Sequence, residues 1–291
     1  MPSETDLIEI YGAYYTHQDK IKSKFVSNLE SIYNSVRRIF VAYKWGYGRN
    51  SLTFKQKIVA RLCLLWPALV AYLDASVFHL SHQQNGFLLE IGCGNGEMLK
   101  KMQQLGWTVE GLDFDPAAVD NSRKKGLNIR LGGLIEQNLP ENSFDAIVMR
   151  HVLEHVPNPS AIISECHRVL KPNGKLIIQT PNTNGLGHSL FKSDWRGLEP
   201  PRHLHIFNRK SISSIALHSG FKKINVFTST NTAAFIFRGS VNIRRARLNY
   251  EKNSTSKFDW IMYFILQEIE AILIKLYPDL GEELVMVAEK T

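Results

Sequence analysis

Residues 88–96 carry the densest functional signal in this chain. They read Leu-Leu-Glu-Ile-Gly-Cys-Gly-Asn-Gly, and a helix-like stretch follows over residues 97–105. The pattern predicts a buried strand that turns through glycines into a helix. A turn without Cβ atoms lets a ligand lie against the backbone, and a helix N-terminus offers N–H groups that have no intrahelical partner. We therefore expect a nucleotide-type ligand at Gly92, Gly94 and Gly96.

The glycine spacing and a later carboxylate narrow the kind of ligand. The glycines follow G-x-G-x-G, and Glu97 stands where the dinucleotide pattern G-x-G-x-x-G needs its third glycine. Asp113 ends a second predicted strand, residues 108–112. A carboxylate at that strand tip can accept both hydroxyls of a ribose, although it can also simply begin the turn before the next helix. These residues leave a nicotinamide enzyme and an S-adenosylmethionine enzyme both open.

Three later segments decide between the two. Residues 139–156 read LPENSFDAIVMRHVLEHV, residues 168–174 read RVLKPNG, and residues 175–182 read KLIIQTPN. Together with the glycine loop, they closely resemble the class I S-adenosylmethionine-dependent methyltransferases. The nearest group is similar to bacterial small-molecule methyltransferases related to the ubiquinone-biosynthesis O-methyltransferases. The resemblance covers residues 86–230 and resumes at 281–290.

The resemblance implies S-adenosylmethionine as the cofactor and assigns its contacts. The methionine part is expected against the glycine loop, with Glu90 ordering that loop and Cys93 as a small filler within it. Asp113 is expected to meet the ribose. The remaining expected contacts lie around the adenine and at the end of the fourth strand: Phe114, Leu134, Ile135, Arg150 and His151.

A neutral hydroxyl acceptor also needs a base to remove its proton. By resemblance, the segment after the fifth strand borders the substrate, and here residues 195–207 contain His203 and His205. In an extended segment their i, i+2 spacing would point both rings to one face, so we predict that one of them is the catalytic base. His151 and His188 are rivals, and either ring of the pair could instead satisfy local backbone groups.

Cysteine and metal-ligand patterns give weaker signals. Glu154 and His155 resemble the acidic-histidine segment of the ubiquinone-type enzymes, where a divalent cation can sit, but we expect no metal in this chain. The three cysteines are scattered and form neither a disulfide pattern nor a metal pattern, which favours a reducing compartment. The first residues are acidic and polar, unlike a signal peptide, so we expect a cytoplasmic protein.

The alternation of predicted strands and helices indicates a doubly wound α/β sheet. The strands are expected at 87–91, 108–112, 128–131, 144–150, 175–180 and 222–229, with a last strand near 284–289. By resemblance, the sheet is a seven-stranded, Rossmann-like sheet with the last strand antiparallel between the fifth and sixth. We expect a helical N-terminal cap (1–85), a cofactor-binding core (86–230), a helical insertion (231–283) and the final core strand (284–291).

Two apolar stretches lie outside the cofactor motifs. The first, residues 58–80, is long enough for a bilayer, but Arg61, Asp74 and a central Pro67 favour a buried or lid helix. The second, residues 258–276, is apolar around most of a helix. We expect it to pack on the N-terminal helices as a roof over the acceptor site, or else to form a membrane-interface helix or a wall for a lipid-like substrate.

The formal net charge of +8 is unevenly distributed. Between residues 202 and 257 there are eleven Lys or Arg and a single acid, Glu251. Such a stretch is typical of a soluble basic surface, or of a site for an anionic membrane or phosphorylated substrate. Nucleic acid is the weakest alternative because no known binding module surrounds these residues.

Three functions follow as hypotheses. The first is methyl transfer to an oxygen of a small molecule, a glycan precursor or a lipid-like acceptor. The second is the same chemistry on nitrogen or carbon. The third is a protein that has kept the fold and binds the cofactor without turnover, although the intact glycine loop, Glu90 and Asp113 argue against it.

Overall fold

A computed structural model describes residues 24–48, 51–248 and 257–291, and in it the core is one seven-stranded sheet. The strand order is β3-β2-β1-β4-β5-β7-β6. All neighbouring strands are parallel except that β7 runs antiparallel to both β5 and β6, as expected. The strands are β1 (Phe87–Ile91), β2 (Thr108–Asp113), β3 (Asn128–Leu131), β4 (Phe144–Arg150), β5 (Leu170–Pro181), β6 (Lys223–Ser229) and β7 (Glu283–Glu289).

Ten α-helices accompany the strands within the described residues. Those before the sheet are α1 (Lys24–Trp45), α2 (Phe54–Cys63) and α3 (Pro67–Ala75). Those between strands are α4 (Glu97–Gln104), α5 (Pro116–Lys124), α6 (Pro159–Val169), α7 (Leu186–Phe191) and α8 (Arg209–His218), followed by α9 (Ala233–Arg247) and α10 (Lys257–Leu273). Asp115 caps α5 by accepting the N–H of Ala117, and Pro116 takes the first helical position, as the sequence pattern predicts.

The sheet is buried on both faces, which explains why its strands are apolar almost throughout. Successive residues of a strand point to opposite faces. On one face Leu89 and Ile147 pack against α6 and α8. On the other, Leu88 and Val148 pack in a cluster that includes residues of α1, α3 and α4.

The strand order reverses beside β1, because β2 and β4 flank it on opposite sides. In open α/β sheets, ligands bind outside the carboxyl ends of the strands at such a reversal. The glycine loop follows β1 directly. The fold therefore places the loop, the end of β2 and the end of β4 around one crevice.

The N-terminal region differs from the continuous stretch expected over residues 58–80. It forms two helices, α2 and α3, bent by 109°. The break falls at Pro67, the first residue of α3, because proline cannot donate to the preceding turn. By length and composition, this bent pair alone among the described helices could cross a membrane, and no single described helix could. Helices α1 and α3 also cover a face of the sheet, so this region contributes to the core as well as to any cap.

The insertion folds as two helices, α9 and α10, that pack on each other. Ala233, Phe237 and Tyr263 are buried between them. The indole N–H of Trp66, just before α3, donates to the carboxylate of Glu268 on α10. The expected contact between the N-terminal helices and the insertion is therefore present.

Candidate active site

The glycine loop joins β1 to α4 at the carboxyl edge of the sheet. Gly92, Gly94 and Gly96 have φ values of 72°, 53° and 71°, in the left-handed region that favours glycine. A Cβ at Gly92 would collide with Val152, and one at Gly96 would collide with Leu127. At Gly94 a Cβ would meet nothing within 4 Å. The backbone at Gly94 therefore borders open space, where a ligand can lie against it.

Asp113 lies at the carboxyl end of β2 and joins two turns. Its Oδ2 accepts the N–H of Gly94 at 2.6 Å, and its Oδ1 accepts the N–H of Asp115 at 2.9 Å. The turn-forming role considered from the sequence is thus present, together with a contact to the glycine loop. A carboxylate has about four lone-pair sites, so acceptor capacity is left for ribose hydroxyls.

The predicted adenine contacts divide into exposed and buried side chains. Phe114 is 69% exposed, and its ring lies against Gly133, where a Cβ would come within 2.7 Å of the ring. Ile135 is exposed as well. Leu134 is fully buried in the core, so its side chain packs inwards, and its place near the adenine stays a prediction.

Glu90 and Arg150 form an ion pair between the ends of β1 and β4. Arg150 Nη2 lies 3.1 Å from Glu90 Oε1, and the guanidinium carbon lies 5.0 Å from the centre of the Phe78 ring. Burial raises the pKa of Glu90, opposed by Arg150. Among the described residues, Glu90 makes no hydrogen bond to the glycine loop, in contrast to the ordering role expected of it, and its buried Oε2 has no hydrogen-bond partner.

Cys93 fills space within the loop, as predicted. A Cβ at Gly111 would come within 2.7 Å of its sulfur, and its own N–H donates to the Leu112 carbonyl at 3.1 Å. Burial raises the pKa of the Cys93 thiol far above its usual range. The thiol therefore stays protonated and is unsuited to act as a nucleophile.

His151 follows β4 and lies between two buried carboxylates. Its Nε2 lies 3.0 Å from Glu283 Oε1, and its Nδ1 lies 3.4 Å from Glu154 Oε1. Burial by itself would lower the pKa of His151, but the two carboxylates outweigh it and raise the pKa to about 10. The ring is therefore an imidazolium at neutral pH. A protonated ring cannot accept another proton, so this geometry argues against His151 as the base.

His203 and His205 do not share one face. The N–H of His203 donates to the Glu199 carbonyl at 3.2 Å, so the backbone is turned here, and the extended segment expected from the sequence is not formed. His203 Nδ1 lies 2.6 Å from the Gly197 carbonyl oxygen, whereas His205 Nε2 lies 3.3 Å from that of Pro157.

The surroundings of His203 define its tautomer. A carbonyl oxygen only accepts, so Nδ1 carries the hydrogen that points to Gly197. In the neutral ring Nε2 then holds the lone pair, and it lies 3.6 Å from Glu199 Oε2. Its side chain is 6% exposed, and burial lowers the pKa of His203 below its usual value. The ring is thus neutral at neutral pH. The rival His188 stacks on Trp195, with ring centres 4.7 Å apart.

Sequence reasoning missed two glutamates at the start of β7. Glu283 pairs with His151, and Glu282 accepts hydrogen bonds from the Trp195 indole at 2.7 Å and from the N–H of Gly187. The N–H of Glu282 donates to Glu270 Oε1 at 2.8 Å. The usable signal was a pair of adjacent acids leading into an otherwise apolar strand, because acids are rarely fully buried without a partner.

A second group of side chains could hold a cation. Glu154, His155 and His203 each place one ligand atom within 4.8 Å of the others. Carboxylate and imidazole together suit several divalent metals. The Thr180 hydroxyl donates to Glu154 Oε2 at 3.0 Å, and His155 Nδ1 lies 2.9 Å from the Arg202 carbonyl, which would orient two of these ligands. The donor set is chemically compatible with a divalent cation. Ligation would use the same His203 Nε2 lone pair that a base needs, so the two roles exclude each other, and the metal-free site expected from the sequence stays a prediction.

Comparison with known proteins identifies the class to which this fold and site belong. Residues 66–226 match a family model described as a methyltransferase domain, which is more than half of the chain. The chain therefore belongs to this family, and its sheet is that of the class I S-adenosylmethionine-dependent methyltransferases. Its cofactor is S-adenosylmethionine, in agreement with the sequence-based prediction.

Sequence relatives match only part of the chain. A ubiquinone biosynthesis O-methyltransferase from Xanthomonas oryzae is 38% identical over 102 residues, which cover 33% of this chain and 43% of that protein. The protein of the same name from Pseudomonas fluorescens is 34% identical over 104 residues, covering 33% and 45%. The chain thus matches less than half the length of these curated relatives.

Solved structures support the fold. Phosphoethanolamine N-methyltransferase 2 from Haemonchus contortus, in complex with S-adenosylmethionine, has a TM-score of 0.51 at 19% identity, covering 98% of this chain and 66% of that one. An S-adenosylmethionine-dependent methyltransferase from Mesorhizobium loti also gives 0.51 at 19% identity, covering 75% and 97%. At these identities the similarity concerns the fold alone.

Proposed function

We propose that this chain transfers the methyl group of S-adenosylmethionine to an oxygen of a small-molecule or lipid-like acceptor, with His203 as the base. The observation that supports the proposal is the contact between His203 Nδ1 and the Gly197 carbonyl, together with the burial that lowers the pKa of His203. In a neutral ring held this way, Nε2 is the nitrogen left to accept a proton. A base of this kind is needed for a hydroxyl acceptor. The names of the partial relatives, which are O-methyltransferases, point the same way.

Residues 151–155 connect this base to the cofactor loop. Val152 packs against Gly92, and the His155 ring centre lies 4.7 Å from that of His203. An acceptor at the carboxyl edge of the sheet would therefore lie between the loop and the base. The main contribution of the chain would be to orient the acceptor, because the sulfonium of the bound cofactor supplies an already activated methyl group.

The residues around the glycine loop fit the cofactor. The open space beside Gly94 accommodates a ligand against the backbone. Glu90 Oε2, buried and without a donor among the described residues, fits the ammonium group of the methionine part. Asp113, at the tip of β2, is proposed to accept the ribose hydroxyls, and exposed Phe114 and Ile135 to line the adenine.

Nitrogen is the second candidate acceptor atom. Glu154 and Glu283 are buried carboxylates on either side of His151, and Glu283 Oε2 has no hydrogen-bond partner among the described residues. An amine acceptor would bind such a group in its ammonium form and would have to lose a proton before its nitrogen lone pair could attack the methyl group. For either acceptor, we place the protein in the cytoplasm, at a membrane surface when the acceptor is lipid-like.

Incubation of the pure protein with methyl-labelled S-adenosylmethionine and cell extract tests the proposal. We expect a labelled product whose new methyl group is on oxygen, and a label on nitrogen or carbon would replace the first function with the second. The Asp113→Ala variant serves as the negative control, because it should weaken S-adenosylhomocysteine binding by about 2–4 kcal/mol through loss of paired charge-assisted contacts. Calorimetric binding of S-adenosylhomocysteine without any labelled product would support the non-catalytic alternative.

A further inference from the structure

We propose that α2, the elbow before α3 and the outer face of α10 form one surface that binds an anionic lipid membrane. This elbow surface is defined by its exposed apolar side chains: Phe54, Ile58, Leu62, Leu65 and Trp66 on the N-terminal side, and Ile261, Ile265, Ile269, Ile272 and Leu276 on the insertion. Membrane binding by this surface does not depend on the proposed function. Only the link between the membrane and a lipid-like acceptor rests on it.

The N-terminal half of the surface is an amphipathic helix that ends in an apolar turn. Phe54, Ile58 and Leu62 recur every four residues, so they form one stripe along α2. The chain then bends by 109° through Leu65 and Trp66, which are 79% and 57% exposed. A core helix would turn such residues inwards, but here the most exposed leucine of the region lies at the tip of the elbow.

The insertion contributes a second stripe of the same kind. Ile261, Ile265, Ile269, Ile272 and Leu276 are separated by three or four residues, so they line one side of α10 and its extension, and all are exposed. The opposite side of α10 is buried: Tyr263 packs on α9, and Gln267 donates to the Thr230 carbonyl at 2.7 Å. The hydrogen bond between Trp66 and Glu268 joins the two stripes. Exposed apolar side chains grouped in stripes like these are typical of interaction sites.

The charges beside the α2 stripe favour a membrane as the occupant. Residues 51–73 contain Lys55, Lys57 and Arg61 and no acid. All three basic side chains are exposed, and they lie next to the Phe54–Ile58–Leu62 stripe on α2. An apolar face bordered by lysine and arginine is the arrangement that lies in the interface of an anionic bilayer. A dimer between two copies would bring these like charges together, which opposes that alternative.

Co-flotation of the full-length protein with lipid vesicles tests this surface. We expect binding to vesicles containing phosphatidylglycerol, weaker binding to vesicles of phosphatidylcholine alone, and loss of the difference at high salt. The double variant Leu65→Ser and Ile265→Ser should lower the partition coefficient at least roughly tenfold, because it removes two apolar anchors. Leu217→Ser, an exposed leucine on α8, is the matched control and should float like the unmodified protein.

Two further measurements keep the outcomes distinct. S-adenosylhomocysteine binding by the double variant should be unchanged, which shows that it is folded and separates this surface from the proposed function. Failure of the unmodified protein to float with either kind of vesicle would overturn the proposal. A dimer in sedimentation velocity that the double variant converts to a monomer, together with no flotation, would assign the surface to a second copy of the chain.

Discussion

The protonation states of His151 and His203 depend on atoms that are distant in the sequence. His151 is held as an imidazolium by Glu154 and by Glu283, which lies on the last strand. His203 is kept neutral by burial and is oriented by the Gly197 carbonyl. Two histidines near one crevice therefore differ in charge at neutral pH: His151 is an imidazolium, and His203 is neutral.

We expect His203→Ala to lower turnover by roughly 10²–10⁴ with little change in S-adenosylhomocysteine affinity, because only the proton acceptor is removed. The apparent rate of the unmodified protein should fall as the pH decreases through the lowered pKa of His203, below about 6.5, since protonation abolishes the base. The measurement is kcat/KM against pH with the labelled acceptor.

His205→Ala is the matched control for this prediction. Its ring lies 3.3 Å from the Pro157 carbonyl oxygen, whereas the His203 ring lies against Gly197 and His155. We therefore expect a much smaller loss of turnover. Equal turnover in both variants and in the unmodified protein would contradict a histidine base. A larger loss in His205→Ala than in His203→Ala would transfer the role to His205.

At the scale of elements, the β1–α4 turn contains glycines whose surroundings differ. Gly96 is needed because Leu127 occupies the space of a side chain, while Gly94 borders open space. Both have positive φ, so an alanine at either position costs roughly 1–2 kcal/mol in backbone strain. At Gly96 the neighbouring Leu127 makes glycine a requirement of packing. At Gly94 the open space leaves the backbone accessible to a ligand.

We therefore expect Gly94→Ala to fold and to lose affinity for S-adenosylhomocysteine by at least about tenfold, because its methyl group would occupy the ligand's space. Gly96→Ala should mainly lower the melting temperature, since its methyl group collides with Leu127 in the core. Calorimetry and thermal melts on both variants make the comparison. Normal binding by a folded Gly94→Ala protein would show that the ligand does not approach this backbone.

At the scale of the whole molecule, Glu270 couples the insertion to the sheet. It lies on α10, and its Oε1 accepts the N–H of Glu282 beside β7. Burial, together with the nearby carboxylates of Glu282 and Glu283, raises the pKa of Glu270 to about 9. The protonated form is therefore favoured in the folded state, and this contribution to stability is lost as the pH rises from the unfolded value of about 4.3 through 9.

Glu270→Gln imitates the protonated side chain and should raise the melting temperature at pH 7–8, by roughly 2–8 °C for a gain of about 1–3 kcal/mol. The gain should grow as the pH rises from 5 to 9. Glu141→Gln, at an exposed loop position, is the control and should change stability by less than about 0.5 kcal/mol. An equal pH dependence of unfolding in the unmodified protein and Glu270→Gln would contradict the assignment.

The sequence by itself determined the sheet and the cofactor, and it located the glycine loop proposed to bind that cofactor. Local signals suffice there: a strand ends in alternate glycines, Asp115 and Pro116 start α5, and apolar runs predict strands that the structure reproduces within a few residues, apart from the earlier start of β5. The antiparallel last strand came from resemblance to the family. All these features depend on residues that are neighbours in the chain or on motifs with fixed spacing.

Only the tertiary structure decided which side chains meet at the acceptor side. Glu283 reaches His151 across 132 positions, and Glu270 meets Glu282 through the docking of a separate helix. Residues 199–203 form a turn, because backbone hydrogen bonds outweigh the local pattern that predicted an extended segment. The charge of a buried group depends on the neighbours that the fold brings to it, and the linear spacing of residues does not specify those neighbours.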